Sequence, residues 1–329
     1  MTDTMTTTAP APAPEAPAPA APEPTPAAEA PAAVMQRSLG DLADLIGLEV
    51  EDSVELGLPS CIAIIADAGA GKTTLAGGII KVPLFRNAKI AYIDVEKGTS
   101  VWAQDPQIMH AVQSGQITRF SIDKTDPIKA KGQLDKLLGY KDDNGQKHVG
   151  ALFSPAFGVD VIIIDTFDTL QEIGKDFFMA TTRTQDGRQD TQGAYGKLAP
   201  WTTDILWELQ HGKPFGLVLS HGMEKKDKKT GIDKLSMKLA GSAKESVASI
   251  PDLVAYMTWQ EKEDEEPRQT HLVAHMSQSA EVTVKNRYGF DGPMWDFSLP
   301  VLFAAIDQKI AASQGVIDAF TQANTPAVA

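Results

Sequence analysis

The stretch Ala66, Asp67, Ala68, Gly69, Ala70, Gly71, Lys72, Thr73, Thr74 constrains this chain more than any other. Its spacing is that of a phosphate-binding loop, with Ala66 where the first glycine usually stands. Gly69 and Gly71 let the backbone curl so that successive N–H groups point at phosphate oxygens. Lys72 is placed to reach the β- and γ-phosphates, and the Thr73 hydroxyl to ligate Mg2+. The flanks agree. Ser60 to Ala66 is apolar on both faces, as a buried parallel strand should be, and Lys72 to Ile80 reads as a helix. A glycine-rich turn that merely precedes a lysine would need neither flank.

Further strands are expected over Ala88–Asp94, Ile117–Ile122, Val159–Asp165 and Phe215–Ser220, with a helix over Trp201–Leu209. Three short runs then follow, Leu253–Trp259, His271–Met276 and Glu281–Lys285. Strands alternating with helices, then a strand-rich end, predict an α/β fold: a mostly parallel sheet flanked by helices, with an antiparallel edge near the C-terminus. Gln171–Ala199 and Gly222–Ser246 read as two long loops. Ser38 to Gly47 reads as a short capped helix.

Asp165 ends the run Val161, Ile162, Ile163, Ile164, where a carboxylate would hold Mg2+ through water. Glu96 lies two residues past Asp94, at the same sheet edge, and is placed to orient and deprotonate an attacking water; Asp94 is its substitute. His221 follows the strand ending at Ser220, where a polar side chain can sense the γ-phosphate and pass its state into the next segment. A histidine simply satisfied at a strand end is the alternative. His271 and His275 share one strand face and read as structural.

Residues 9–33 hold nine Pro, twelve Ala, three Glu and one Thr. Such a segment has too little apolar surface to offset its ordering entropy, so residues 1–37 are expected to be a disordered arm. The domain is expected over 38–312, with a tail over 313–329. Net charge is −13, of which the first 33 residues carry −4, so the body cannot coat nucleic acid by bulk charge and needs a local basic patch. The segment 222–246 supplies one: seven lysines against four acids. A single cysteine, Cys61, excludes a disulfide framework and a multi-cysteine zinc site. No signal peptide and no apolar run near 18 residues are seen, which points to the cytoplasm and away from a membrane.

The order of these motifs resembles the RecA-like P-loop ATPase core, over roughly residues 55–298. The likeness is nearest to the phage Sak-type single-strand-annealing and recombination ATPases. It rests on Tyr92 to Thr99, Val218 to His221, and Val284, Lys285, Asn286, Arg287, Tyr288, Gly289. The resemblance implies ATP and Mg2+ as cofactors and hydrolysis stimulated by single-stranded DNA. It implies a homo-oligomer in which Lys285 and Arg287 reach a neighbour's γ-phosphate; an ordinary charged edge strand is the alternative. DNA contacts are implied for the two long segments: Lys175, Phe177, Phe178, Arg183 and Arg188 in the first, Lys225, Lys226, Lys228 and Lys229 in the second. A single-strand-binding or replication protein is an implied partner, and a bacterial host cytoplasm the setting if the chain is phage-encoded. A nucleotide-switched loader or regulator of a protein partner stays open, as does a hexameric helicase-type motor.

Overall fold

A computed structural model describes residues 57–142, 144–226, 233–241, 249–262, 267–277 and 282–324. The Pro/Ala-rich arm, the helix expected at 38–47, and Lys228 and Lys229 lie outside them. The described residues fall within one compact unit, Glu55–Ala329.

The chain order begins β1 (Cys61–Ala66), α1 (Lys72–Gly77), β2 (Ile90–Asp94), α2 (Pro106–Gln113), β3 (Ile117–Ser121) and α3 (Pro127–Leu138). A small hairpin follows, β4 (Gly139–Lys141) and β5 (Lys147–Val149), then β6 (Val161–Asp165). Two long helices come next, α4 (Phe167–Thr181) and α5 (Thr191–His211), then β7 (Phe215–Lys226) and β8 (Asp233–Met237). The last part holds β9 (Leu253–Glu261), β10 (Thr270–His275), β11 (Lys285–Asn286), β12 (Pro293–Met294) and α6 (Leu299–Asn324).

The main sheet runs β12-β10-β9-β1-β7-β6-β2-β3. The six strands from β9 to β3 are mutually parallel, while β10, β11 and β12 add antiparallel pairings at the C-terminal edge. This is the α/β architecture expected from the apolar runs. Alternate strand residues feed two separate cores. Ile62, Ile64 and Ala66 face a layer holding Leu75, Ile108, Leu302 and Phe303, from α1, α2 and α6. Cys61, Ala63 and Ile65 face the other, holding Leu134, Leu170, Ile173, Leu206 and Leu209, from α3, α4 and α5. Asp105 and Asp126 each cap a helix by accepting backbone N–H groups, with Pro at the first helical position.

Two expectations fail. Gln171–Ala199 is no loop: α4 and α5 cover it except for the turn 182–190. These helices pack so closely that a Cβ on Gly174 would meet the Trp201 ring at 2.3 Å. Leu170, Ile173 and Phe178 supply the buried stripe, and this packing overrides the helix-weakening Gly174, Gly193 and Gly196. Nor is Gly222–Ser246 a loop throughout: β7 continues past His221 to Lys226 and pairs antiparallel with β8. Alternating Leu235 and Met237 bury one face of that hairpin. The strand expected over Glu281–Lys285 is shorter in its described part, with β11 at Lys285–Asn286. The helix α6 runs unbroken from Leu299 to Asn324, across the boundary expected between residues 312 and 313.

Candidate nucleotide site

Parallel strands place all their following loops at one sheet edge, and that edge gathers the candidate residues. Gly69 and Gly71 take φ of 78° and 92°, left-handed conformations that let the loop turn sharply between β1 and α1. Ala66, in the usual glycine position, is the last residue of β1 and fully buried, so it needs no such freedom. The Lys72 ammonium is buried and donates to the carbonyls of Ala66 (3.2 Å) and Asp67 (3.0 Å). Burial lowers its pKa, against the raising pull of Asp165, Glu96, Asp168 and Asp67.

Thr73 donates its hydroxyl to Asp165 Oδ2 at 2.6 Å. The Tyr92 hydroxyl donates to the same oxygen. Burial pushes the Asp165 carboxyl up, while the Thr73 and Tyr92 hydroxyls oppose it. One hydroxyl and one carboxylate oxygen meeting at a point form the hard oxygen donor set that Mg2+ takes while keeping several waters. The residues therefore fit the ion. The Trp102 indole donates to the Thr73 carbonyl at 2.8 Å, fixing the start of α1 against the 3-10 turn Thr99–Gln104.

Glu96 sits on the loop after β2. A Cβ on Gly98 in this loop would lie 3.2 Å from Thr73 Oγ1, so the loop lies against the metal-side threonine. The hydroxyls of Thr166 and Thr169 both donate to Glu96 Oε1, at 2.9 and 2.8 Å. Asp94 is not interchangeable with it. It is buried, accepts from Lys97 N (2.6 Å) and Thr99 Oγ1 (3.0 Å), and lies 3.9 Å from Arg119. Those bonds hold Lys97 at φ 61° and leave Asp94 shaping the loop.

His221 lies at the same edge, paired through β7 with Ala66 of β1. Its Nδ1 is 3.0 Å from Asp168 Oδ2 and 3.6 Å from Glu96 Oε1. Asp168, absent from the motif reading, is buried in the first turn of α4. Its hydrogen bond raises the His221 pKa, outweighing burial and Lys72. Burial acts to raise Asp168 itself, but the bonds from the His221 ring and backbone prevail and hold it low. The signal for Asp168 was a second carboxylate three residues beyond Asp165, hence in the first turn of the helix that leaves the same strand end. Donor atoms of Glu96, Asp168 and His221 all lie within 4.8 Å of one another.

The remaining candidates lie elsewhere. Phe178 is buried against Trp201, and Phe177 is half-buried beside it, so these rings belong to the helix packing rather than to a base-stacking surface. Lys175 is half-buried on α4. Arg183 and Arg188 are exposed on the 182–190 turn; Arg183 donates to carbonyls and Arg188 pairs with Asp186 at 3.2 Å. Lys225 and Lys226 end β7, with Lys226 exposed.

Lys285 and Arg287 are not at this edge. Arg287 pairs with buried Asp252 at 2.5 Å, and Lys285 donates to the carbonyls of Ser249 and Ile250. Asp252 also accepts from Ser60 N, Cys61 N and Gln210 Nε2, pinning the start of β1. That start is about 16 Å along the strand from the phosphate loop, taking roughly 3.3 Å per residue. Within this chain Arg287 thus holds a carboxylate and Lys285 two carbonyls, with the Arg287 side chain still 56% exposed. His271 pairs with Asp296 at 2.7 Å, and His275 with Gln260 at 2.9 Å, in keeping with structural roles.

Residues 58–288 match the model of a family described as an AAA domain. No curated protein matches the chain. Among the described residues, no helix is long and apolar enough to cross a membrane.

Proposed function

This chain belongs to the AAA domain family of P-loop ATPases, and we propose that it binds ATP with Mg2+ and hydrolyses it, and, on the separate grounds of its basic segments, that hydrolysis drives work on single-stranded DNA. The observation that carries the ATPase reading is the convergence of Lys72, Thr73, Asp165 and Glu96 on one sheet edge, with Thr73 and Asp165 in contact. Lys72 binds the β- and γ-phosphates. Thr73 and Asp165 hold Mg2+, which when bound neutralises charge on the transferring phosphoryl group. Glu96, steadied by two hydroxyl donors, orients the attacking water and takes its proton. His221 senses the γ-phosphate.

The DNA reading, in phage-type annealing or recombination, is supported by what surrounds this edge. β7 passes directly from His221 into a hairpin whose Lys226, Lys234 and Lys238 are exposed, in a chain of net charge −13. The 182–190 turn adds exposed Arg183 and Arg188. The strongly negative balance outside these segments favours a second reading, a nucleotide-switched loader or regulator of a protein partner.

Magnesium-dependent ATP turnover, measured with and without single-stranded oligonucleotides, tests both parts. Stimulation by DNA is expected, with binding that weakens steeply with salt. Replacing Lys226 and Lys234 by Ala is expected to flatten the log–log salt slope by about 1 each. Turnover indifferent to DNA of every length, with the slope unchanged, contradicts the DNA reading and leaves the partner-switch reading in its place.

A further inference from the structure

Asp168 holds the end of the buried part of β7, gripping His221 by both its backbone and its ring. Its Oδ1 accepts the His221 backbone N–H at 2.9 Å and the Ser220 hydroxyl at 3.3 Å, and its Oδ2 meets His221 Nδ1 at 3.0 Å. A histidine merely satisfied at a strand end needs one contact. Here the ring and backbone are fixed together by a carboxylate that is itself buried. The bond also selects the ring's tautomer, because Nδ1 must carry the proton it gives to Asp168.

The same helix holds the far side of the hairpin. One turn beyond Asp168, Gln171 binds the Ala240 backbone both ways: Ala240 N–H donates to Oε1 at 2.6 Å, and Nε2 donates to its carbonyl at 3.3 Å. The Lys238 N–H donates to the His221 carbonyl at 2.9 Å, closing the hairpin's root. Thr166 and Thr169, at the start of this helix, hold Glu96. Thus one helix touches the water-orienting carboxylate, the phosphate-sensing histidine on β7 and Ala240, three residues past the end of β8.

We propose that Asp168 is a positioning residue that sets His221 for the γ-phosphate and, through α4, ties that setting to the β7–β8 hairpin. The proposal rests on the ATPase reading above. Charged groups facing His221 are Asp168 from α4, Glu96 from the loop after β2 and Lys72 from α1. When Glu96 turns to its water, Asp168 remains as the ring's anchor, so the histidine keeps its orientation through the reaction.

The test uses the full chain and Asp168→Asn. ATP affinity is expected to stay within about threefold while kcat falls about 10- to 100-fold, as for other orienting partners. In a His221→Ala background the same change is expected to add little, because Asp168 acts through that ring. Hydrogen exchange of amides 222–226 and 233–238 is expected to slow when a non-hydrolysable ATP analogue with Mg2+ binds the wild type. That slowing is expected to vanish in Asp168→Asn and in Gln171→Ala. Losses that multiply in the double variant overturn the proposal, as does wild-type kcat in Asp168→Asn. An analogue that leaves hairpin exchange unchanged in the wild type overturns it without needing any variant to fold. A wild type that binds no nucleotide at all is the separate failure, that of the ATPase reading.

Discussion

Thr73 Oγ1 lies 2.6 Å from Asp165 Oδ2, so two residues 92 positions apart share one oxygen-lined point at the sheet edge. Neither is useful to a magnesium ion alone. If this pair holds the ion, Thr73→Ala and Asp165→Asn should each lower magnesium-dependent turnover by about 10²- to 10³-fold. Titration of turnover against Mg2+ checks this, and wild-type magnesium dependence in both variants contradicts it.

Glu96 is assigned to the water and not to the phosphates. Glu96→Gln keeps both threonine hydroxyl partners but removes the base, so kcat should drop by about 10²- to 10⁴-fold. Equilibrium binding of ATP should be little changed. A variant that binds poorly yet turns over normally once saturated would reassign Glu96 to nucleotide binding.

The ion pair of His221 and Asp168 gives stability a pH signature. The His221 pKa lies above its ordinary 6.5, so its contribution is fully present below 6.5 and is lost as pH rises through the raised value. The Asp168 pKa lies below its ordinary 3.8, so its contribution is present above 3.8 and lost as pH falls through the lowered value. Urea unfolding of the wild type and His221→Ala should therefore differ most between roughly pH 4 and 6.5 and converge in alkali. A difference that grows with rising pH contradicts the pairing.

Asp252 ties three segments together at the opposite end of β1. Asp252→Ala strands the buried N–H group of Cys61, the half-buried one of Ser60 and the Gln210 amide, and should cost about 3 kcal/mol. Arg287→Ala should cost less, under about 1 kcal/mol, because the Arg287 side chain is 56% exposed. Thermal or urea unfolding measures both. Equal costs would mean that the ion pair, rather than the backbone bonds, dominates the site.

Much of the candidate site's layout was legible because its parts sit at strand ends. Ala66, Asp94, Asp165 and Ser220 each close or nearly close an apolar run, and parallel strands bring such ends together. The loop around Lys72 needs its glycines at φ above zero, so its shape is written in residue type. Asp168 was less visible, since an acidic residue in a helix's first turn is ordinary by itself; only its partner 53 positions later gives it a role. Thr166 and Thr169 were hidden for the same reason.

The helices α4 and α5 were hidden by their glycines. Gly174 reads as a breaker, and only the Trp201 ring across the interface shows why no side chain fits there. Phe177 and Phe178 looked like free aromatics because the segment from Gln171 onward, with Ile173 in it, was read as a loop, which cut it off from Leu170 of the same stripe. Lys285 and Arg287 were singled out by resemblance alone; the partners they meet within this chain, Asp252 and the carbonyls of Ser249 and Ile250, lie 35 or 36 residues earlier, where no local pattern announces them.

Binding of ATP by isothermal calorimetry, with and without Mg2+, to the wild type and to Lys72→Ala tests the central claim most directly. The account predicts magnesium-dependent affinity in the wild type and its loss, by 100-fold or more (about 2.7 kcal/mol), when the Lys72 ammonium is removed. Equal affinity in the two proteins, or none in the wild type, would contradict it.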